Sequence, residues 1–187
     1  MVKAYKYLIF NKPYDVLCQF TDEAGRKTLK GFIPIPEVYS VGRLDYDSEG
    51  LLLLTNDGEL NHRMSEPRYQ QPKTYWSQVE RIPDDAALDQ LRKGVMIGGN
   101  QTLPAKVRIL PEEPDVWERE KPIRFRKTVP TCWLEITINE GMNRQVRKMT
   151  AAVGHPCLRL IRVGIGPLQL DDLKPGEYAF IEKPVLR

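Results

Sequence analysis

The apolar positions of this chain change period several times, and each change marks an element. Residues 6–11 (Lys-Tyr-Leu-Ile-Phe-Asn) predict a first strand, broken by Lys12-Pro13. Val16, Cys18 and Phe20 then recur at every second position, which predicts a second extended piece over 15–20, and residues 21–30 form a polar loop with Arg26, Lys27 and Lys30. Residues 38–41 lead into an acidic loop. After it, Leu51 to Leu54 is an unbroken apolar run closed by Asn56-Asp57-Gly58, the pattern of a strand buried on both faces and ended by a turn. A short helix is expected over 57–66, stopped by Pro67. Residues 73–79 (Lys-Thr-Tyr-Trp-Ser-Gln-Val) alternate and are rich in aromatic and β-branched side chains, so they predict a strand.

The second half continues in the same alternating manner. Asp84, Asp85 and the closing Gly94 frame a helix over 84–93, with Ala87, Leu88 and Leu91 at helical spacing. Residues 95–97 and 105–110 flank Gly98-Gly99-Asn100 and predict a hairpin or a longer β-connection. The acidic, proline-rich stretch 111–122 turns basic at Ile123-Arg124-Phe125-Arg126-Lys127, which reads as a surface insertion able to touch a phosphate backbone. Cys132, Leu134, Ile136 and Ile138 alternate in a strand over 131–139. A helix follows over 143–153, stopped by Gly154 and Pro156. At about 100° per residue Val146, Met149, Thr150 and Val153 share one side, and Arg144, Arg147 and Lys148 lie on the other. Arg147 falls at the seam beside Thr150, where a guanidinium can be partly buried and reach a carboxylate. A strand over 158–164 carrying Arg159 and Arg162, with residues 165–168 and 178–181, completes the sheet.

Composition narrows the class. The 187 residues suit one main domain, and 41% hydrophobic with 28% charged residues is ordinary for a soluble globular protein. No apolar run reaches a membrane span, and Met1-Val2-Lys3-Ala4-Tyr5 lacks the apolar stretch of a signal peptide, so a cytoplasmic protein is expected. Cys18, Cys132 and Cys157 are odd in number and widely spaced, which argues against a disulfide framework or a zinc site. His62 and His155 read as ordinary structural histidines. The net charge of +3 is uneven: residues 119–162 hold ten Lys/Arg against three Asp/Glu, leaving −4 for the rest. That asymmetry suits a surface that meets a polyanion, and suits a merely solvated basic face equally well.

Candidate chemistry concentrates in the acidic loop. Asp45-x-Asp47-x-Glu49-Gly50 imitates the first six positions of a calcium-binding loop, but the twelfth position is Asn56 and four leucines replace the remaining oxygen donors. A solvated acidic turn and a catalytic carboxylate at the end of a buried strand remain.

The residues here resemble a known family. Gly-Arg-Leu-Asp (42–45), followed by Ser-Glu-Gly-Leu-Leu-Leu-Leu-Thr-Asn-Asp-Gly (48–58), is similar to the signature of the RsuA-type ribosomal pseudouridine synthases. Asn-Lys-Pro-Tyr-Asp-Val-Leu at 11–17, Lys73-x-Tyr75, Asn-Arg-Gln-Val-Arg-Lys-Met at 143–149 and the run 160–168 resemble its further motifs, so the likeness spans about residues 5–180. The opening motif is most similar to the large-subunit branch designated E. Tyr46 and Met142 stand where the family often has arginine, each removing one possible phosphate contact.

The resemblance implies a fold, a reaction and a site. The fold would be α+β, a mixed, mainly antiparallel sheet with flanking helices, in one catalytic domain that can fall into two lobes. It would lack the small separate RNA-binding domain with which many relatives begin. The reaction would isomerise one uridine of 23S ribosomal RNA, with no redox change and hence no cofactor. Asp45 would be the catalytic carboxylate, Arg147 its partner and Tyr75 the ring that stacks on the flipped base. Arg43, Lys73, Arg124, Arg126, Lys127, Arg144, Lys148 and Arg162 would contact RNA. No metal and no membrane is expected, and a monomer is. Two other readings stay open on the residues alone: a non-catalytic ribosomal-RNA-binding or assembly factor, and a metal-dependent nuclease using Asp45, Asp47 and Glu49.

Overall fold

A computed structural model describes residues 1–124 and 126–186. In chain order the elements are β1 (Tyr7–Lys12), β2 (Tyr39–Val41), β3 (Glu49–Thr55), α1 (Gly58–Ser65), β4 (Lys73–Glu80), α2 (Asp85–Lys93), β5 (Met96–Ile97), β6 (Asn100–Gln101), β7 (Lys106–Ile109), β8 (Thr131–Ile138), α3 (Gln145–Ala152), β9 (Cys157–Ile165), β10 (Leu168–Gln169) and β11 (Tyr178–Phe180). Two compact units divide them. The first holds Met1–Gln71 and Arg162–Arg187, the second Pro72–Ile161, and the chain returns to the first within β9.

In the first unit β1 pairs antiparallel with β3 on one side and β11 on the other, and β2 also pairs with β3. All seven residues of β3 are buried, as the leucine run requires. Leu52 and Leu54 meet Leu8, Phe10, Val16, Cys18, Leu29, Ile33 and Val38 in one core. Each fully buried leucine contributes roughly 1.5–3 kcal/mol. Asp57 ends the strand and starts α1, its carboxylate accepting the Leu60 N–H at 3.2 Å and the Tyr7 hydroxyl at 2.7 Å.

In the second unit β8 pairs antiparallel with β4 and β7. The core joins Val79, Leu134, Ile136 and Ile138 to Leu88 and Leu91 of α2 and to Val146 and Met149 of α3. Asp84 caps α2 through the Ala87 N–H at 2.8 Å. The α+β class with a mixed, mainly antiparallel sheet is therefore what this chain forms.

Three expected boundaries change. Residues 15–20 are not a strand: Asp15 turns left-handed at φ 56°, and a single bridge, Leu17 to Thr28, replaces a ladder. Their alternation records the burial of Val16 and Cys18 in the core. The Gly98-Gly99 turn joins β5 to β6, while 106–109 pairs with β8. The helix expected from 143 begins at Gln145, because Arg144 is left-handed at φ 51°. Phe125, expected inside the basic insertion, lies outside the described residues.

Candidate active site

The acidic loop of the first unit is held from several sides. Val41 and Leu44 are buried on either side of the exposed Arg43, and the Asp45 carbonyl accepts the Ser48 N–H at 3.0 Å, closing a turn that leaves Asp45 half-buried. Glu49 and Gly50 then enter β3 fully buried. Gly50 has φ 109°, and a Cβ there would come 2.3 Å from the Arg162 carbonyl oxygen. Only a residue without a Cβ can meet both conditions.

A lysine supports this loop from within. Lys12 is fully buried, and its ammonium donates to the carbonyls of Pro13 at 2.7 Å, Val16 at 2.8 Å and Tyr46 at 3.4 Å. The Asp15 N–H donates to the same Tyr46 carbonyl at 3.0 Å. The residue after Asp45 is thus tied twice to the turn after β1. Burial pulls the Lys12 ammonium down to about 8, opposed by Cys18, Glu49, Asp47 and Asp15. The patterning that found β1 says nothing of this role, since periodicity places a strand-end lysine in solvent.

Arg162 corrects an expectation. It was placed among the phosphate contacts, yet it is only 3% exposed and its Nε donates to the Leu51 carbonyl at 2.9 Å. Its Nη2 is buried without a hydrogen-bond partner. A guanidinium enclosed beside β3 braces the strand and is no surface anchor for phosphate.

In the second unit Tyr75 lies on β4 opposite Ile136, half-buried against the core. Lys73, two residues earlier, is half-buried with its Nζ 3.5 Å from the Glu140 carbonyl. On α3 Arg147 is half-buried with its Nε shielded from water, while Arg144 and Lys148 are exposed. Gln145, which the sequence reading passed over, fixes the approach to this helix. It is buried, donates to Glu140 Oε1 at 2.7 Å and accepts the Met142 N–H at 3.0 Å. Glu140 Oε1 also accepts the Leu103 N–H at 2.7 Å. A glutamine between two arginines in Asn-Arg-Gln-Val-Arg was the signal available.

The rest of the basic segment is divided. Arg124 and Lys127 are exposed. Arg126 is engaged with Glu80 at 2.7 Å and holds that carboxyl below its ordinary range. Arg159 is buried, lying over the Trp117 ring at 5.7 Å and donating to the Trp117 carbonyl at 2.8 Å. Among the described residues no group of three His, Cys, Asp or Glu side chains could hold a metal ion. None of the described helices is long and apolar enough to cross a membrane.

Comparison with known proteins decides the family. The family described as RNA pseudouridylate synthase matches residues 6–152. The chain is 56% identical over 179 residues to the ribosomal large subunit pseudouridine synthase E of Vibrio vulnificus, covering 96% of this chain and 76% of that protein. It is 54% identical over 173 residues to the protein of that name from Xanthomonas campestris, covering 91% and 92%. A crystal structure of a pseudouridylate synthase matches with TM-score 0.80 at 30% identity, covering 97% of this chain and 72% of that one. The chain belongs to the RNA pseudouridylate synthase family.

An RNA pseudouridine synthase breaks the N1–C1′ bond of uridine, turns the base and joins C5 to C1′. The reaction is redox-neutral and adds no group. Its demand on the protein is positional: a carboxylate held in place, a flat apolar surface for the displaced base, and cations for the backbone. In the first unit Asp45 lies on a braced loop. In the second Tyr75 lies on β4, and Arg144 and Arg147 lie at the start of α3.

Proposed function

We propose that this synthase converts a uridine of large-subunit ribosomal RNA to pseudouridine, with Asp45 as the carboxylate that acts at the ribose, as nucleophile or as base. The observation that carries the reading is the loop itself: Asp45 precedes a carbonyl held by both the Asp15 N–H and the Lys12 ammonium, at the mouth of a strand buried along its length. The names of the relatives support the choice of RNA. Tyr75 receives the flipped base; stacking returns about 1–3 kcal/mol against the few kcal/mol that extrusion costs. Arg147 supplies the counter-charge that an ionised carboxylate needs when the pocket is dried, since a guanidinium stays protonated and holds a carboxylate with two hydrogen bonds. Arg43, Lys73, Arg124, Lys127, Arg144 and Lys148 meet the backbone, with Arg126 joining after release from Glu80. The two units work as one catalytic domain, in a cytoplasmic monomer.

The test is a map of pseudouridine in large-subunit RNA from cells lacking this protein. One site should be missing, restored by the parent chain and not by Asp45→Asn. A complete map in the deletion strain would contradict the proposal.

A further inference from the structure

The first unit carries an aromatic and cationic surface that the proposed chemistry does not use. His62 and Arg63 lie in the last turn of α1, and Pro67–Tyr69 forms a single 3-10 turn directly after it. All four of His62, Arg63, Arg68 and Tyr69 are exposed. The Arg68 guanidinium lies over the Tyr69 ring, 5.0 Å from its centroid, and the His62 ring stands at 84° to it with centroids 6.4 Å apart. The backbone beneath is fixed: the Glu66 carbonyl accepts the Tyr69 N–H and the Pro67 carbonyl accepts the Gln70 N–H, each at 3.1 Å, and Gln70 closes the turn left-handed at φ 44°.

Charge separates this surface from others on the molecule. Arg26, Arg81, Arg92, Arg108 and Arg126 each face a carboxylate within salt-bridge distance. Arg63 and Arg68 enter no ion pair among the described residues. A cation near a helix C-terminus offsets the dipole there, which accounts for Arg63. Arg68 lies beyond the helix and gains nothing from it. A ring 42% exposed, overlaid by an uncompensated guanidinium, presents a flat surface with positive charge at its margin. Unstacked RNA bases bind such rings and guanidinium planes, and their phosphates are attracted by neighbouring cations.

We propose that Tyr69, with Arg68 laid over its ring and His62 and Arg63 beside it, is a stacking platform for an unpaired nucleotide of the substrate RNA other than the uridine that reacts. The proposal rests on the RNA-modifying function above and adds a second anchoring point to it. Stacking supplies affinity without base identity, while Arg63 and Arg68 supply the salt-dependent part.

The experiment uses the full chain and a short fluorescein-labelled single-stranded oligouridylate, titrated at several salt concentrations, beside single-turnover pseudouridine formation on a large-subunit RNA transcript. Tyr69→Ala should weaken oligouridylate binding by about 5- to 150-fold, the range for one lost base stack. Tyr69→Phe should stay within about twofold of the parent. Arg68→Gln should weaken binding and lower the salt slope by about 0.7. All three variants should keep the parent's unfolding midpoint and its single-turnover rate at saturating protein. Binding by Tyr69→Ala within twofold of the parent, or equal losses in Tyr69→Ala and Tyr69→Phe, would overturn the platform. Binding needs no turnover, so a protein that shows the expected losses yet makes no pseudouridine would contradict the proposed function and leave the platform standing.

Discussion

The acidic loop of the first unit and the basic residues of the second are built to different tolerances. Around Asp45 the chain has spent its most constrained positions: a fully buried lysine on three carbonyls, a glycine at φ 109° with no room for a Cβ, and a strand with no exposed residue. In the second unit Arg124, Lys127, Arg144 and Lys148 are exposed, and Arg126, itself exposed, pairs with the buried Glu80. The contrast is what the proposed roles of the two regions require. A reacting carboxylate misplaced by an ångström can cost a hundredfold in rate, whereas a phosphate contact tolerates a mobile side chain.

Lys12→Met should break the stiff side of this contrast most severely. It preserves bulk but leaves the Pro13 and Val16 carbonyls without the ammonium and the Tyr46 carbonyl with the Asp15 N–H alone, and stability to urea should fall by about 3 kcal/mol. The parent's pH dependence sharpens the point. Lys12 titrates at about 8 when folded and near its ordinary value, about 10.4, when unfolded, so between those values the unfolded chain binds more protons and stability rises with pH. Over the same window the loop loses the positive charge facing Asp15, Asp47 and Glu49, so single-turnover activity should fall as pH passes about 8. Stability and activity moving in opposite directions, with the stability slope lost in Lys12→Met, would identify this lysine.

Arg147→Lys tests whether the second unit also has a stiff member. A single ammonium cannot reproduce a two-point hold on a carboxylate, so the single-turnover rate should drop by about a hundredfold with RNA affinity only mildly weakened. Loss of affinity and salt slope at an unchanged rate would make Arg147 a phosphate contact instead. The compliant residues should give the smallest effects: Arg144→Ala and Lys148→Ala each reduce the salt slope of RNA binding by about 0.7–0.9. Arg126→Ala should reduce it by less, since Glu80 already offsets that charge.

Much of this was legible in the residues, unevenly. Runs and caps carry their own physics, so β3 and α2 stand where the leucines and the Asp84 and Gly94 frame put them. The acidic loop was legible as a motif, and its chemistry only through likeness to a family. Arg162 was misread and the role of Lys12 was not seen at all, because a charged residue in a strand is ordinarily solvent-facing, and only three-dimensional neighbours show a buried cation donating to backbone carbonyls. Arg144 was assigned to a helical face it does not occupy, since a left-handed residue before a helix has no sequence mark unless it is glycine or asparagine.

The most direct test of the central claim compares Asp45→Asn with Asp47→Asn in single-turnover pseudouridine formation on a large-subunit RNA transcript, with RNA affinity measured alongside. Asp45→Asn keeps shape and loses charge and nucleophilicity, so it should fold and bind RNA while product formation falls at least a thousandfold, and Asp47→Asn should retain measurable turnover. Turnover by Asp45→Asn within tenfold of the parent, or an Asp47→Asn as inactive as Asp45→Asn, would contradict the assignment of the reacting carboxylate.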